Sequence, residues 1–347
     1  MRGDALRDGL LRLIVAISAA LVLTNVLAFA VGVAPREALR VAFEGSLSSG
    51  YGLGQILFRA TPIVITAVAA RLALAAGLFN IGIEGQLGAA SLAVGALGAF
   101  LASSGVASVL VLPILVVAAS LVGAAISSVP ALLRARFGAS EVIAGIVMNQ
   151  LVAQVVSLLL RLGLALPGTT RTGSLPAGTR LTTLGSVITP LAGSPASSAF
   201  VGALALAAGA FVFLRRGRVA REWTLLAESP RACEFAGIPV VARRAQALVL
   251  SGAVAGLVAI PMVVGYKGYA EPGLGAGTGF AGLAAAMMGG ESALVTVLAA
   301  LWFGVVDQAG LALHAIVPKD VVLVVQAATL LVAALLGARK SSGGGAS

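Results

Sequence analysis

Long apolar runs broken by short polar or glycine-rich stretches dominate the chain. A membrane-crossing helix needs about 20 mostly apolar residues. On that measure ten spans are expected, over 10–33, 55–76, 87–102, 106–133, 142–164, 198–214, 245–264, 280–289, 293–313 and 321–337. The third, sixth and eighth are short, and the eighth is rich in glycine. The runs do not alternate apolar and polar positions as barrel strands do. The expected fold is therefore an all-α, polytopic membrane bundle. Spans two to five and seven to ten form two groups of opposite orientation, about 55–164 and 245–337. Each group opens with a long span followed by a glycine-rich break, at 77–88 and 273–290. Interrupted spans at matching places in two inverted halves mark substrate paths in transporters.

Composition narrows the class. Hydrophobic residues make up 59% of the 347 residues and charged residues 10%, and mean hydropathy is +1.05. That leaves too little polar surface to coat a soluble globule. The net charge of +10 would point to nucleic acid in a soluble protein. Here it follows the bias of Lys and Arg toward the cytoplasmic face, and no nucleic-acid partner is expected. With the N-terminus inside, most of the 23 Lys and Arg fall on the inner side. Seven of them lie between spans six and seven: Arg215, Arg216, Arg218, Arg221, Arg231, Arg243 and Arg244. Both termini are thus read as cytoplasmic, and the location as the bacterial cytoplasmic membrane, crossed many times. The first span carries a cleavage-like Ala28-Phe29-Ala30, but its apolar stretch exceeds that of a signal peptide, and it is read as retained. One Cys and one His offer neither a disulfide framework nor a metal cluster, and no metal or cofactor is expected on the chain.

Three segments carry candidate chemistry. Segment 77–88 places Asn80, Glu84 and Gln86 among apolar residues with four glycines in twelve positions. A carboxylate within a membrane is costly unless paired or wet. Either a half-helix starts here beside a substrate path, or a cytoplasmic turn carries a solvated Glu84. In span five, Gln150, Gln154 and Ser157 share a helical face with Asn149 beside them; such a stripe lines a pore or joins helices. Arg59, near the start of span two, has Glu84 and Asp307 as possible partners. The inner loop 215–244 has a helix-forming stretch from Glu222 to Phe235, interrupted at Pro230 and ended by Gly237 and Pro239. It reads as a docking helix or as a basic loop on anionic lipid.

The motif Asn80-Ile81-Gly82-Ile83-Glu84-Gly85-Gln86 resembles the signature of ABC importer permeases of the branched-chain amino acid and simple-sugar class. The likeness is nearest to nucleoside-type permeases that work with a basic membrane lipoprotein. Phe137-Gly138-Ala139-Ser140-Glu141, Glu228-Ser229-Pro230-Arg231-Ala232-Cys233, Ser251-Gly252-Ala253 and Gly277-Thr278-Gly279-Phe280 extend it over about 54–304. Ala227, Ser229, Cys233 and Glu234 depart from the usual pattern. The resemblance implies a single transmembrane permease domain over 1–340 with a flexible tail at 341–347. The expected path is lined by Asn80, Glu84, Gln86 and Asn149, which lie in the resembling motifs, and by Gln150 and Gln154 of the polar stripe. The resemblance also implies an ATPase-coupling loop carrying Glu222, Glu228, Arg231, Ala232 and Gly237. The implied partners are a cytoplasmic ABC ATPase, a second and different permease subunit, and an extracytoplasmic substrate-binding lipoprotein. The implied cargo is nucleosides or related sugars, with branched-chain amino acids as the alternative. Lys340-Ser341 follows Arg339 rather than glycine, so the chain lacks a phosphate-binding loop. Any ATP hydrolysis falls to the partner, and the chain itself is not expected to be an enzyme. An ion-coupled transporter would need mid-membrane coupling groups, for which only Glu84 and Asp307 offer themselves.

Overall fold

The computed structural model describes residues 2–318, together with Val324, Ala327, Ala328, Thr329, Leu331, Val332 and Leu335. The tenth expected span and the tail lie largely or wholly outside the described residues. Among the described residues, eight helical stretches are long and apolar enough to cross a membrane. They contain α1 (Arg2–Ala30), α3 (Gly50–Leu74), α4 (Ile83–Ser103), α5 (Ser108–Phe137), α6 (Glu141–Leu159), α7 (Ala199–Arg216), α10 (Val240–Gly256) and α12 (Ala293–Leu313). α6 and α10 are continued by wider turns over Leu160–Leu164 and Ile260–Lys267.

Three elements differ from the sequence reading. Pro35–Ser46 forms an amphipathic helix, α2, between the first two spans. Pro35 opens it, since the first helical position needs no N–H donor, and exposed Arg40 and Glu44 pair across one turn at 2.8 Å. The third span begins at Ile83 rather than 87, which puts Glu84 in the first turn of α4. The eighth, α11 (Thr278–Gly289), has 12 residues. At 1.5 Å per residue it reaches about 18 Å, short of the roughly 30 Å hydrocarbon core.

The bundle is built around α3 and α10. The apolar stretch of α3 is 78% buried and that of the α10 stretch 72%, against 17% for α6 and α7, so the former are central and the latter peripheral. Close approach comes from small residues rather than large ones, because lipid offers apolar side chains no preference for protein over tails. Gly123 of α5 faces the backbones of Gly252 and Gly256 one turn apart on α10. Ser127, one turn further, donates to the Leu248 carbonyl at 2.6 Å.

The α5–α6 turn shows why its motif reads as it does. Gly138 takes the left-handed cap at φ 64°, which glycine adopts without a Cβ penalty. Ser140 caps α6, and Arg134 pairs with Glu141 across the turn. The long loop before α7 lies over the segment that follows α10. Thr172 N–H donates to the Ala270 carbonyl at 2.9 Å and Leu175 N–H to that of Gly268 at 2.7 Å. Arg171 stacks on Tyr269 with its guanidinium carbon 4.5 Å from the ring centroid.

Candidate functional site

The first break starts beside the inner loop at Gly77 and runs into the bundle. Ser251, which bonds it, is the twelfth residue of α10 and Asn149 the ninth of α6. At 1.5 Å per residue these lie about 16 Å and 12 Å from the helix starts. Asn80 and Gln86 form a reciprocal amide pair, at 2.9 and 3.0 Å. Asn80 also donates to Ser251 Oγ at 2.8 Å, and Ser251 donates to the Ala69 carbonyl at 2.6 Å. From α6, Asn149 accepts from Gly85 N–H and donates to the Ile81 carbonyl, both at 2.8 Å. Backbone released from helical bonding must find other partners in a membrane, and these amides provide them.

The second break meets the first through a carboxylate. Glu84 accepts from the N–H of Gly277 at 3.1 Å and of Gly279 at 2.7 Å. It therefore caps the N-terminus of α11, where the helix dipole favours negative charge. Gly277 precedes α11 at φ 89°, a conformation that L side chains rarely adopt.

Between α4, α6 and the segment 271–280 lies a groove of about 420 Å³. Glu84, Ser91, Asn149, Gln150, Ser157 and Glu271 contribute its polar wall, and Leu87, Ile146, Val152 and Phe280 are among its apolar lining. Of the six path residues expected from sequence, Glu84, Asn149 and Gln150 line it. Asn80 and Gln86, 3% and 0% exposed, sit behind the wall as the amide pair. Gln154 is exposed on α6 and is not part of the lining. Ser91 and the glycine N–H groups are not among the path residues expected from sequence. Only the glycine-rich motif around Phe280 signalled the last of these. Arg59 lies elsewhere: it donates to Gln308 Oε1 at 3.0 Å and is close enough to Asp307 to interact with its charge.

The loop after α7 forms α8 (Arg218–Glu228) and α9 (Pro230–Phe235). Ser229 caps α9 with Pro230 at its first position, and Gly237 closes it at φ 74°. Glu222 pairs with Arg243 at the base of the loop, so it braces α8 against α10. Glu228, Arg231, Ala232 and Gly237 are exposed. Phe235 is 95% exposed, an aromatic ring left at the tip of a helix. Cys233 is turned the other way, buried with Leu226 and Val240. The loop also touches the first break: a Cβ at Gly77 would lie 3.1 Å from Ala227 Cα.

A family model described as "Branched-chain amino acid transport system / permease component" matches residues 52–334. The chain belongs to this family of ABC importer permeases. It is 30% identical over 332 residues to the glucose ABC transporter permease protein TsgB13 of Haloferax volcanii, covering 92% of this chain and 85% of that protein. It is 26% identical over 326 residues to the nucleoside ABC transporter permease protein NupB of Lactococcus lactis, covering 91% and 88%. It is 28% identical over 293 residues to the guanosine ABC transporter permease protein NupP of Bacillus subtilis, covering 83% and 82%. No solved structure matches significantly.

Proposed function

We propose that this permease forms one wall of an ATP-driven import path for neutral sugars or nucleosides across a bacterial cytoplasmic membrane. The observation that carries the reading is the meeting of both helix breaks at one polar groove within an otherwise apolar bundle. Broken helices are where transporters expose backbone and polar groups to cargo. α6, one wall of the groove, leaves Ile143, Ile146, Val147 and Leu151 exposed. A second, different permease subunit would complete the path there. The tip of α8–α9 would enter an ABC ATPase, with Phe235 as the anchor; aromatic residues dominate such contacts. An extracytoplasmic lipoprotein would deliver the cargo. The groove offers carboxylates, amides and hydroxyls but no cationic side chain to pair the carboxylate of a branched-chain amino acid, which favours an uncharged cargo. The relatives named for glucose, nucleosides and guanosine support the same choice.

Reconstitution tests this directly. Proteoliposomes holding the full set of subunits are expected to take up glucose or guanosine only with ATP and the lipoprotein. Uptake by this chain alone under a proton or sodium gradient would instead make it a secondary transporter. Phe235→Ser is expected to leave insertion intact while the ATPase no longer copurifies; normal copurification would remove the tip from the docking surface.

A further inference from the structure

Ser91 lies on the groove wall two turns along α4 from Glu84. It is 2% exposed, yet its hydroxyl has no hydrogen-bond partner among the described residues. Other hydroxyls on the spans return to a carbonyl one turn back: Thr61 to Leu57 at 2.7 Å, Ser157 to Ala153 at 2.9 Å and Thr66 to Pro62 at 3.0 Å. A buried hydroxyl without a partner is destabilising, and such exceptions call for a reason.

The charges in the groove set what solute fits it. A helix N-terminus is ordinarily ready to bind an anion, but the N-terminus of α11 is already occupied by Glu84. Glu271 adds a second carboxylate to the lining, and Lys267, its partner at 3.1 Å, is not part of that lining. Asn149 has both amide atoms committed to the backbone of the first break. The lining thus brings two carboxylates rich in acceptor sites together with Ser91 and Gln150. Carboxylates accept from hydroxyl donors and repel phosphates. The volume, about 420 Å³, falls in the roughly 300–1,000 Å³ range of small-molecule sites.

We propose that the groove is a transit site that holds a neutral, hydroxyl-bearing solute through Ser91 and turns its phosphorylated form away. This deepens the reading of the chain as a sugar or nucleoside permease and rests on it. The test uses the full chain copurified with its ATPase in detergent, where both faces are accessible. Cys233→Ala removes the one native thiol, and Ser91→Cys then places a thiol in the groove. A small methanethiosulfonate reagent is expected to label it. Glucose or guanosine at twice its Kd should slow labelling about threefold, as occupancy of one site requires. Glucose 6-phosphate and guanosine monophosphate should leave the rate unchanged. A thiol that never reacts, a rate indifferent to the neutral solutes, or equal protection by the phosphates each overturns the proposal. Labelling reads the groove whether or not uptake occurs, so failure of the import assay and failure of this site are separable. In the reconstituted importer, Ser91→Ala is expected to raise KM for uptake about three- to tenfold, the loss of one hydrogen bond. Copurification of the ATPase should be unchanged. An unaltered KM would also overturn the proposal.

Discussion

The two breaks solve the same problem in different ways. Both interrupt a helix within the bundle and leave backbone groups to be satisfied. The first, at 77–82, is fastened by side chains from two other helices: Asn149 of α6 and Ser251 of α10, with Gln86 closing the amide pair. The second relies on glycine. Gly268, Gly273, Gly275 and Gly277 all have φ between 76° and 89°, and no Cβ at Gly273 or Gly277 would meet another atom within 4 Å. Its tie to the first break is the carboxylate of Glu84. The difference points to a fixed wall and a wall with room to move, joined at one charged residue. Loosely packed segments of this kind are where conformational change is drawn from.

The sharpest way to break this contrast is to remove the fastening. Asn80→Leu leaves both amide atoms of Gln86 without their partner in a dry environment, at about 1–3 kcal/mol for each unsatisfied group, while Ser251 keeps its bond to the Ala69 carbonyl. Folded yield and thermal midpoint are expected to fall together, before any question of transport arises. Normal yield and midpoint with lost uptake would instead return Asn80 to the path. Gly145→Ala comes next. Its new methyl would stand 2.8 Å from Gly82 N, a backbone atom that cannot swing away. Overpacking of this kind costs about 1–3 kcal/mol, and the thermal midpoint should drop. Glu84→Gln acts on the joint itself. It keeps the shape but removes the charge facing the α11 N-terminus, a term of about 0.3–2 kcal/mol. Yield should stay near normal and uptake should fall several-fold. Unchanged uptake would show that the carboxylate is only a cap.

Much of the first break was legible in the sequence, because polar residues among glycines in an apolar run have few explanations. The helical character of the spans was legible for the same reason. What period and composition did not carry was direction. Asn80 and Gln86 look as pore-like as Glu84 in one dimension; only the packing of α10 behind them makes them an internal fastening. Ser91 reads as an ordinary helix serine, and its missing partner is visible only in three dimensions. α2 is not legible as a span because its 12 residues cannot cross a membrane and its charges break the apolar pattern. In the inner loop, the caps at Ser229, Pro230 and Gly237 gave the helix and its end. They gave no hint that Cys233 turns inward while Phe235 turns out, since both lie in the same short turn.

The smallest effect is expected where the contrast is most direct. Gly273→Ala adds the same single methyl as Gly145→Ala. At Gly145 the cost is a collision with backbone. At Gly273 the space is open, and the cost is only the left-handed backbone, at φ 77°, which disfavours a Cβ by roughly 1–2 kcal/mol. A segment with freedom to move relieves part of that by shifting its dihedral angles. The thermal midpoint is therefore expected to change less than for Gly145→Ala, and uptake to stay within about twofold of normal, since surface-like substitutions away from packing rarely exceed small effects. The measurement is a side-by-side comparison of midpoint and uptake for the two variants. Equal destabilisation would mean that the second break is held as firmly as the first, and the division into a fixed and a movable wall would fall.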